Sequence, residues 1–199
     1  MLNEVKRMQQ LAGIITEAET APVDQVADKD AEQGLKLALN MLKSGADTIQ
    51  PSPKDGEIDE AAGLALGLVA GAPGLINLAG KAVNGISAIF QKDKKQGTVV
   101  GNALKKWGHQ LEESYLEAIA AMIVVAFPKK FDGQDVYDKS SQLYKVSHGV
   151  YAAILTAAAI SSGLGAAEAH STISAGLEGG LSAFKSSEVV SLAQKIAAV

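Results

Sequence analysis

Two long uncharged runs limit what this chain can fold into more than any other feature of its sequence. Residues 61–80 and 146–167 contain no lysine, arginine, aspartate or glutamate, and both runs are rich in alanine and glycine. Such runs are normally buried, either in a protein core or in a membrane, whose hydrocarbon layer takes about 20 helical residues to cross. The sequence therefore poses a choice between a soluble bundle and a membrane-inserting protein.

Helical periodicity governs the rest of the chain, and no segment shows the alternation of apolar and polar residues that predicts a β-strand. Pro73 is expected to begin a helix that reaches Phe90, because proline is tolerated at the first helical position. Pro128 should end the helix before it. Further helices are predicted at 2–16, about 28–44, 98–127, from near Asp135, and within 168–199. We predict an all-α fold, a bundle of about six to eight helices with Ala/Gly-rich packing.

Small residues recur every four positions in both uncharged runs, which places them on one face of a helix. Such a stripe allows two helix backbones to approach closely, and membrane helices often associate in this way. Pro73, the hydroxyl residues of the second run and the low mean hydropathy of +0.12 favour a soluble bundle. Insertion of 61–90 and 146–167 into a membrane remains the alternative. The predicted helix-packing stripe comprises Gly63, Gly67, Gly71, Ala153, Ala157, Ser161 and Gly165.

Charge and proline divide the chain into three predicted parts. Residues 1–60 hold 6 basic and 12 acidic residues, and Pro51, Pro53 and Gly56 mark the clearest boundary in the sequence. We predict an amphipathic helix at 1–17, an acidic linker at 18–57 and a helical body at 58–199. The linker is expected to be a flexible arm with one short helix, whose apolar side is formed by Leu35, Leu39 and Leu42.

Residue usage argues against several functional classes. The chain has no cysteine, which excludes disulfides and thiol catalysis, and Arg7 is its only arginine, which argues against binding to nucleic acid. The three histidines lack the spacing of metal ligands, so we expect each of them at the surface or the edge of the core. Glu112, Glu113 and Glu117 are interpreted as a solvated helix surface. We predict no enzyme activity, no cofactor and no metal.

The first helix has a continuous apolar face. A helix with such a face can dock into a groove on a partner helix. At Ala18 the amphipathic pattern gives way to an acidic, proline-containing stretch that has too few apolar residues to pack. The predicted docking face consists of Val5, Met8, Leu11, Ala12 and Ile15.

The segment Arg7-Met8-Gln9-Gln10-Leu11-Ala12-Gly13-Ile14-Ile15-Thr16-Glu17 resembles the N-terminus of virion proteins of tailed phages, especially T-even-like myoviruses and marine cyanophages. The resemblance implies a capsid-targeting peptide that a prohead protease removes after a Leu/Ile-x-Glu tripeptide, before a small residue. The implied cleavage lies after Glu17, within Ile15-Thr16-Glu17-Ala18.

Two further tripeptides fit the same pattern. Ile58-Asp59-Glu60 precedes Ala61, and cleavage there is expected to release residues 18–60 from the body. Leu111-Glu112-Glu113 lies inside a predicted helix, where we expect it to be protected.

These observations favour a non-enzymatic structural or internal head protein of a phage virion. Its location would be the head interior or the host cytoplasm, and its partners the prohead scaffold or other virion proteins. The alternative is a membrane-active protein of the host inner membrane, ejection-type or holin-like. A plain soluble interaction module is a third hypothesis. The sequence leaves a homo-oligomer and transient membrane contact open.

Overall fold

A computed structural model describes residues 33–45, 49, 67, 69–90, 112–177 and 184–199. This part of the chain contains seven helices and no strands, which confirms the predicted all-α bundle. The targeting helix, both predicted cleavage sites and Gly63 lie outside the described residues. The helices are α1 (33–45), α2 (Pro73–Phe90), α3 (112–126), α4 (Pro128–Phe131), α5 (Gln142–Ser161), α6 (Ala166–Gly176) and α7 (Ser186–Ala197).

Helix α5 lies at the centre of the bundle and packs against α2, α6 and α7. Every residue from Val146 to Ala159 is buried. A helix that is apolar on all sides needs protein or lipid around it, and here the other helices surround it. The second uncharged run is therefore mostly the core helix of the bundle. The helix ends at Ser161, and Gly163, with a positive φ of 104°, lies in the turn that leads to α6.

Proline sets two helix boundaries at the predicted positions. Pro73 is the first residue of α2, which extends to Phe90 as expected. Helix α3 ends at residue 126, and Pro128 is the first residue of the short helix α4. Both outcomes follow from the missing N–H of proline, which is harmless only in the first turn.

The predicted start of a helix near Asp135 is wrong, because α5 begins at Gln142. The Asp135 carboxylate accepts a hydrogen bond from the Tyr137 N–H at 2.8 Å, and the Asp138 carboxylate accepts one from the Ser140 N–H at 2.8 Å. These local bonds favour turns over helix. The helix begins only where the Ser141 hydroxyl accepts a hydrogen bond from the Tyr144 N–H at 3.0 Å.

Helix α1 packs into the same core as the body. The side chains of Leu35, Ala38 and Leu42 are buried, and Leu39 is partly buried against the core. The Tyr115 hydroxyl of α3 donates a hydrogen bond to the backbone carbonyl of Leu35. The sequence placed this helix in a flexible arm, whereas the structure docks it on the bundle, because its apolar face needs a partner surface.

The predicted small-residue stripe does not form a close helix crossing along its length. Ala153 and Ala157 are fully buried in α5, but Ser161 is exposed at the end of that helix. Gly165 lies beyond the helix, where an added β-carbon would meet no atom within 4 Å. The stripe therefore stops where α5 stops, since a four-residue spacing defines a face only inside one helix.

The first run shows the same departure from the predicted stripe. An added β-carbon at Gly67 would meet no atom within 4 Å, and Gly71 is exposed in the turn before Pro73. Close approaches occur instead at Gly45 and Gly80. A β-carbon at Gly45 would overlap the Leu78 side chain, and one at Gly80 would lie 3.1 Å from the Val199 β-carbon and 3.3 Å from the Ile196 carbonyl oxygen.

Candidate functional site

A histidine–carboxylate pair joins α3 to α5. The His148 Nε2 atom lies 3.0 Å from the Glu112 Oε1 atom, and the side chains are only 7% and 20% exposed. The other ring nitrogen, Nδ1, lies 3.1 Å from the backbone carbonyl oxygen of Tyr144, one helical turn earlier. Both nitrogens of the imidazole ring therefore face an oxygen atom of the protein.

Three tyrosines of α3 and α5 take part in two ring contacts, one of which includes His148 of this pair. The ring centroids of Tyr144 and His148 are 4.0 Å apart, and those of Tyr151 and Tyr115 are 5.5 Å apart. Because Tyr144 and Tyr151 are seven residues apart on α5, they lie on one face of that helix. We call Glu112, Tyr115, Tyr144, His148 and Tyr151 the polar–aromatic cluster. Through the bond from Tyr115 to Leu35, the cluster also contacts α1.

Burial changes the acid–base properties of the tyrosines in the cluster. Loss of solvent raises the pKa of Tyr151 well above its usual value, and the nearby charge of Glu112 raises it further. Burial also raises the pKa of Tyr115, with a smaller contribution from Tyr151. The pKa of Tyr144 is raised by partial burial and by Glu112. All three phenols are therefore favoured in their neutral form.

The arrangement can fasten α3 to α5, because one ring nitrogen of His148 faces the Glu112 carboxylate and the other faces the Tyr144 carbonyl oxygen. Across the described ranges, no group of three or more histidine, aspartate or glutamate residues could hold a metal ion. Within the cluster, the contact between Glu112 and His148 holds α3 against α5.

This pair differs from the sequence prediction. Glu112, Glu113 and Glu117 were predicted to form a solvated surface, but the Glu112 side chain is only 20% exposed and contacts His148. Glu117 accepts a hydrogen bond from the exposed Tyr137 hydroxyl, and this bond raises the pKa of Tyr137 to about 12. One signal could have found the first contact: a histidine inside an uncharged core helix needs a polar partner.

A shallow groove lies between Ala70 and α7. Its volume is about 260 Å³, which is below the roughly 300–1,000 Å³ of typical small-molecule sites. The Lys195 Nζ atom donates a hydrogen bond of 3.4 Å to the Ala70 carbonyl oxygen across it. The groove is lined by Gly67, Ala70, Ser187, Glu188, Ser191, Leu192 and Lys195.

One helix of the described chain, Gln142–Ser161, is long and apolar enough to cross a membrane by length and composition alone. In the bundle, 83% of its apolar window is buried by protein. The core helix of a soluble protein has the same properties, so this helix by itself is weak evidence for a membrane span.

The residues predicted to be functional lie mostly outside the described part of the chain. These are the docking face of residues 5–15, the cleavage site at 15–18 and the second site at 58–61. In the third tripeptide, Glu112 and Glu113 are helical and the Glu112 side chain contacts His148, while Glu113 is exposed. No protein-family model, curated protein or solved structure matches the chain.

Proposed function

We propose that this protein is a non-enzymatic structural protein of a tailed-phage virion, an internal head protein that its N-terminal helix targets to the prohead. The observation that carries the proposal is the sequence of the segment Arg7–Glu17, in which a predicted amphipathic helix ends in an Ile-x-Glu tripeptide before Ala18. The prohead scaffold, or another virion protein, would bind the apolar face of this helix.

The composition of the chain behind Glu17 supports removal of the first 17 residues. Residues 18–27 have too few apolar residues to pack, so a protease is expected to reach the tripeptide that precedes them. The occupied ring nitrogens of His148 also support a structural role for the polar–aromatic cluster.

The intact mass of the protein from mature particles tests the proposal. We expect a species that begins at Ala18, because the protease cuts after the tripeptide, whether or not the chain is also cut behind Glu60. Glu17→Gln should leave the chain beginning at Met1, whereas Glu19→Gln, two residues away and outside the tripeptide, should still be cleaved. Wild-type protein that begins at Met1 in mature particles would contradict the targeting and cleavage proposal.

A membrane-active protein, ejection-type or holin-like, is a second candidate, and the helix Gln142–Ser161 is the observation in its favour. Insertion would require the bundle to open, because the other helices cover this helix on most sides. Flotation of the full chain with lipid vesicles separates the two functions. Protein that stays in the buffer fraction supports the virion proposal, and protein that floats with the vesicles supports the membrane-active one.

A further inference from the structure

We propose that α1 is a helical ligand of the body, held in a groove by non-covalent contacts that keep residues 1–60 bound to residues 61–199 when the chain is cut between them. The occupant of the groove is this chain's own segment 33–45. The proposal rests on the packing of α1 and does not depend on the proposed function.

The contact face of α1 has the regular spacing of a helix that docks in a groove. Leu35, Ala38, Leu42 and Gly45 are buried and are separated by three, four and three residues. A spacing of three and four places these four helical positions along one narrow seam, which is how amphipathic helices bind hydrophobic grooves. Ile49, which lies outside the helix, is also buried.

The outward face of the same helix is polar apart from one residue. Lys36, Asn40 and Lys43 are exposed, and Leu37 is 49% exposed. Helix α1 therefore buries its seam, with Leu39 partly buried beside it, and exposes the opposite side to solvent.

The body holds α1 at both ends of the seam. At the first end, the buried Tyr115 hydroxyl donates a hydrogen bond to the Leu35 carbonyl oxygen. At the other end, Gly45 lies so close to Leu78 of α2 that a β-carbon would overlap that side chain. These contacts fix the position of the helix along the groove as well as its rotation, since each involves one particular residue of α1.

The covalent connection between α1 and α2 also keeps the two pieces close together. Residues 46–72 join α1 to α2, and the sequence predicts a loop around Pro51, Pro53 and Gly56. A connecting segment raises the effective concentration of a bound partner without adding contacts. Cleavage behind Glu60, which was expected to release residues 18–60, would then leave a two-piece protein with α1 in place.

The test uses the full chain with an N-terminal affinity tag and the recognition sequence of a site-specific protease in place of residues 51–57. After cleavage, the tagged piece is captured and the fraction of the body that remains with it is measured. We expect most of the body to be retained, and the cut protein to elute with the mass of one chain. Separation of the two wild-type pieces on capture would overturn the proposal.

Two matched substitutions on α1 distinguish binding through the seam from non-specific retention. Leu42→Asp places a carboxylate in the buried seam and should lower retention at least about tenfold. Leu37→Asp makes the same change at an exposed position of the same helix and should leave retention unchanged. Equal retention of both cut variants would show that the seam does not hold the pieces together and would refute the proposal.

A milder variant covers the case in which Leu42→Asp prevents folding. Tyr115→Phe removes the hydroxyl that bonds to Leu35 and should weaken retention about three- to tenfold, with an unchanged circular dichroism spectrum before cleavage. Unchanged retention would contradict the assigned contact. Elution as a dimer, with exchange of labelled 1–60 pieces between copies, would place α1 in the groove of a second copy and overturn its assignment to the same chain.

Discussion

Helices α5 and α1 both contribute fully buried residues, but they depend on the bundle in different ways. Helix α5 is enclosed from Val146 to Ala159, whereas α1 buries one seam and exposes its other side. A change in α5 therefore affects contacts with several helices at once. A change in the seam of α1 affects the attachment of one helix, so the two helices should differ in how far a local defect spreads.

The largest expected effect is the loss of unfolding free energy when a fully buried aliphatic residue is truncated in α5 or in α1. Ile154→Ala in α5 should lower the free energy of unfolding by about 3–4 kcal/mol, because the enclosed site cannot collapse around the cavity. Leu42→Ala in α1 should cost about 2 kcal/mol, since a peripheral helix can shift toward the gap. Urea denaturation measures both values. An equal cost at the two sites would remove the distinction between the helices.

Hydrogen exchange sharpens the same comparison. Ile154→Ala should speed exchange in all described helices, because it lowers the stability of the whole bundle, while Leu42→Ala should speed exchange mainly in α1. Faster exchange throughout the Leu42→Ala variant would mean that α1 unfolds together with the core rather than as a separate unit.

The next effect concerns the contact between α3 and α5. Glu112→Ala leaves the buried Nε2 atom of His148 without its partner and should cost about 2 kcal/mol. Glu113→Ala, at the exposed neighbouring position, should change stability by less than about 0.5 kcal/mol. Thermal unfolding of the two variants at the same pH provides the measurement. A Glu112→Ala protein as stable as Glu113→Ala would show that the pair does not fasten the helices.

Alkaline pH should destabilise the bundle through its buried tyrosines. Burial raises the pKa of Tyr115 and Tyr151 above 10.0, so above that pH the unfolded chain loses protons that the folded chain keeps. Stability is therefore unaffected by these groups below pH 10 and falls above it, by about 1.4 kcal/mol per pH unit for each tyrosine.

Phenylalanine substitutions test this dependence on pH. Tyr151→Phe should remove the part of the stability loss at high pH that comes from the buried tyrosine of α5. Tyr115→Phe should remove the part that comes from the tyrosine that contacts α1. Urea denaturation at pH 9, 10 and 11 gives the slope of the unfolding free energy against pH. If the unfolding free energy falls as steeply with pH in both variants as in the wild type, other groups control unfolding at high pH.

The smallest expected effect is the change in stability when either of two glycines of α2 is replaced by alanine. Gly74→Ala should stabilise the protein by about 0.5–1 kcal/mol, because an added β-carbon meets no atom within 4 Å and alanine favours helix. Gly80→Ala should leave the protein about 1 kcal/mol less stable than Gly74→Ala, since its β-carbon would press on Val199 and the Ile196 carbonyl. Melting temperatures of the two variants should rank in that order, and the reverse order would show that α7 yields readily at this contact.

Much of the fold could be predicted from local patterns. The uncharged run that contains Val146–Ala159 predicted a helix buried either in protein or in a membrane. Pro73 and Pro128 marked helix boundaries, because the chemistry of proline acts within a few residues. The start of α5 was missed by seven positions, from Asp135 to Gln142, where local hydrogen bonds of Asp135 and Asp138 outcompeted the helical pattern.

The sequence by itself determined that the described chain is helical, since periodicity and proline act over one or two turns. Only the tertiary structure decided that protein encloses α5, that α1 joins the core and that Glu112 contacts His148. The reason is physical: these features depend on contacts between segments far apart in the chain, such as Tyr115 and Leu35, which are 80 residues apart. The spacing of residues along one helix shows that an apolar seam needs a partner, but only packing selects which one.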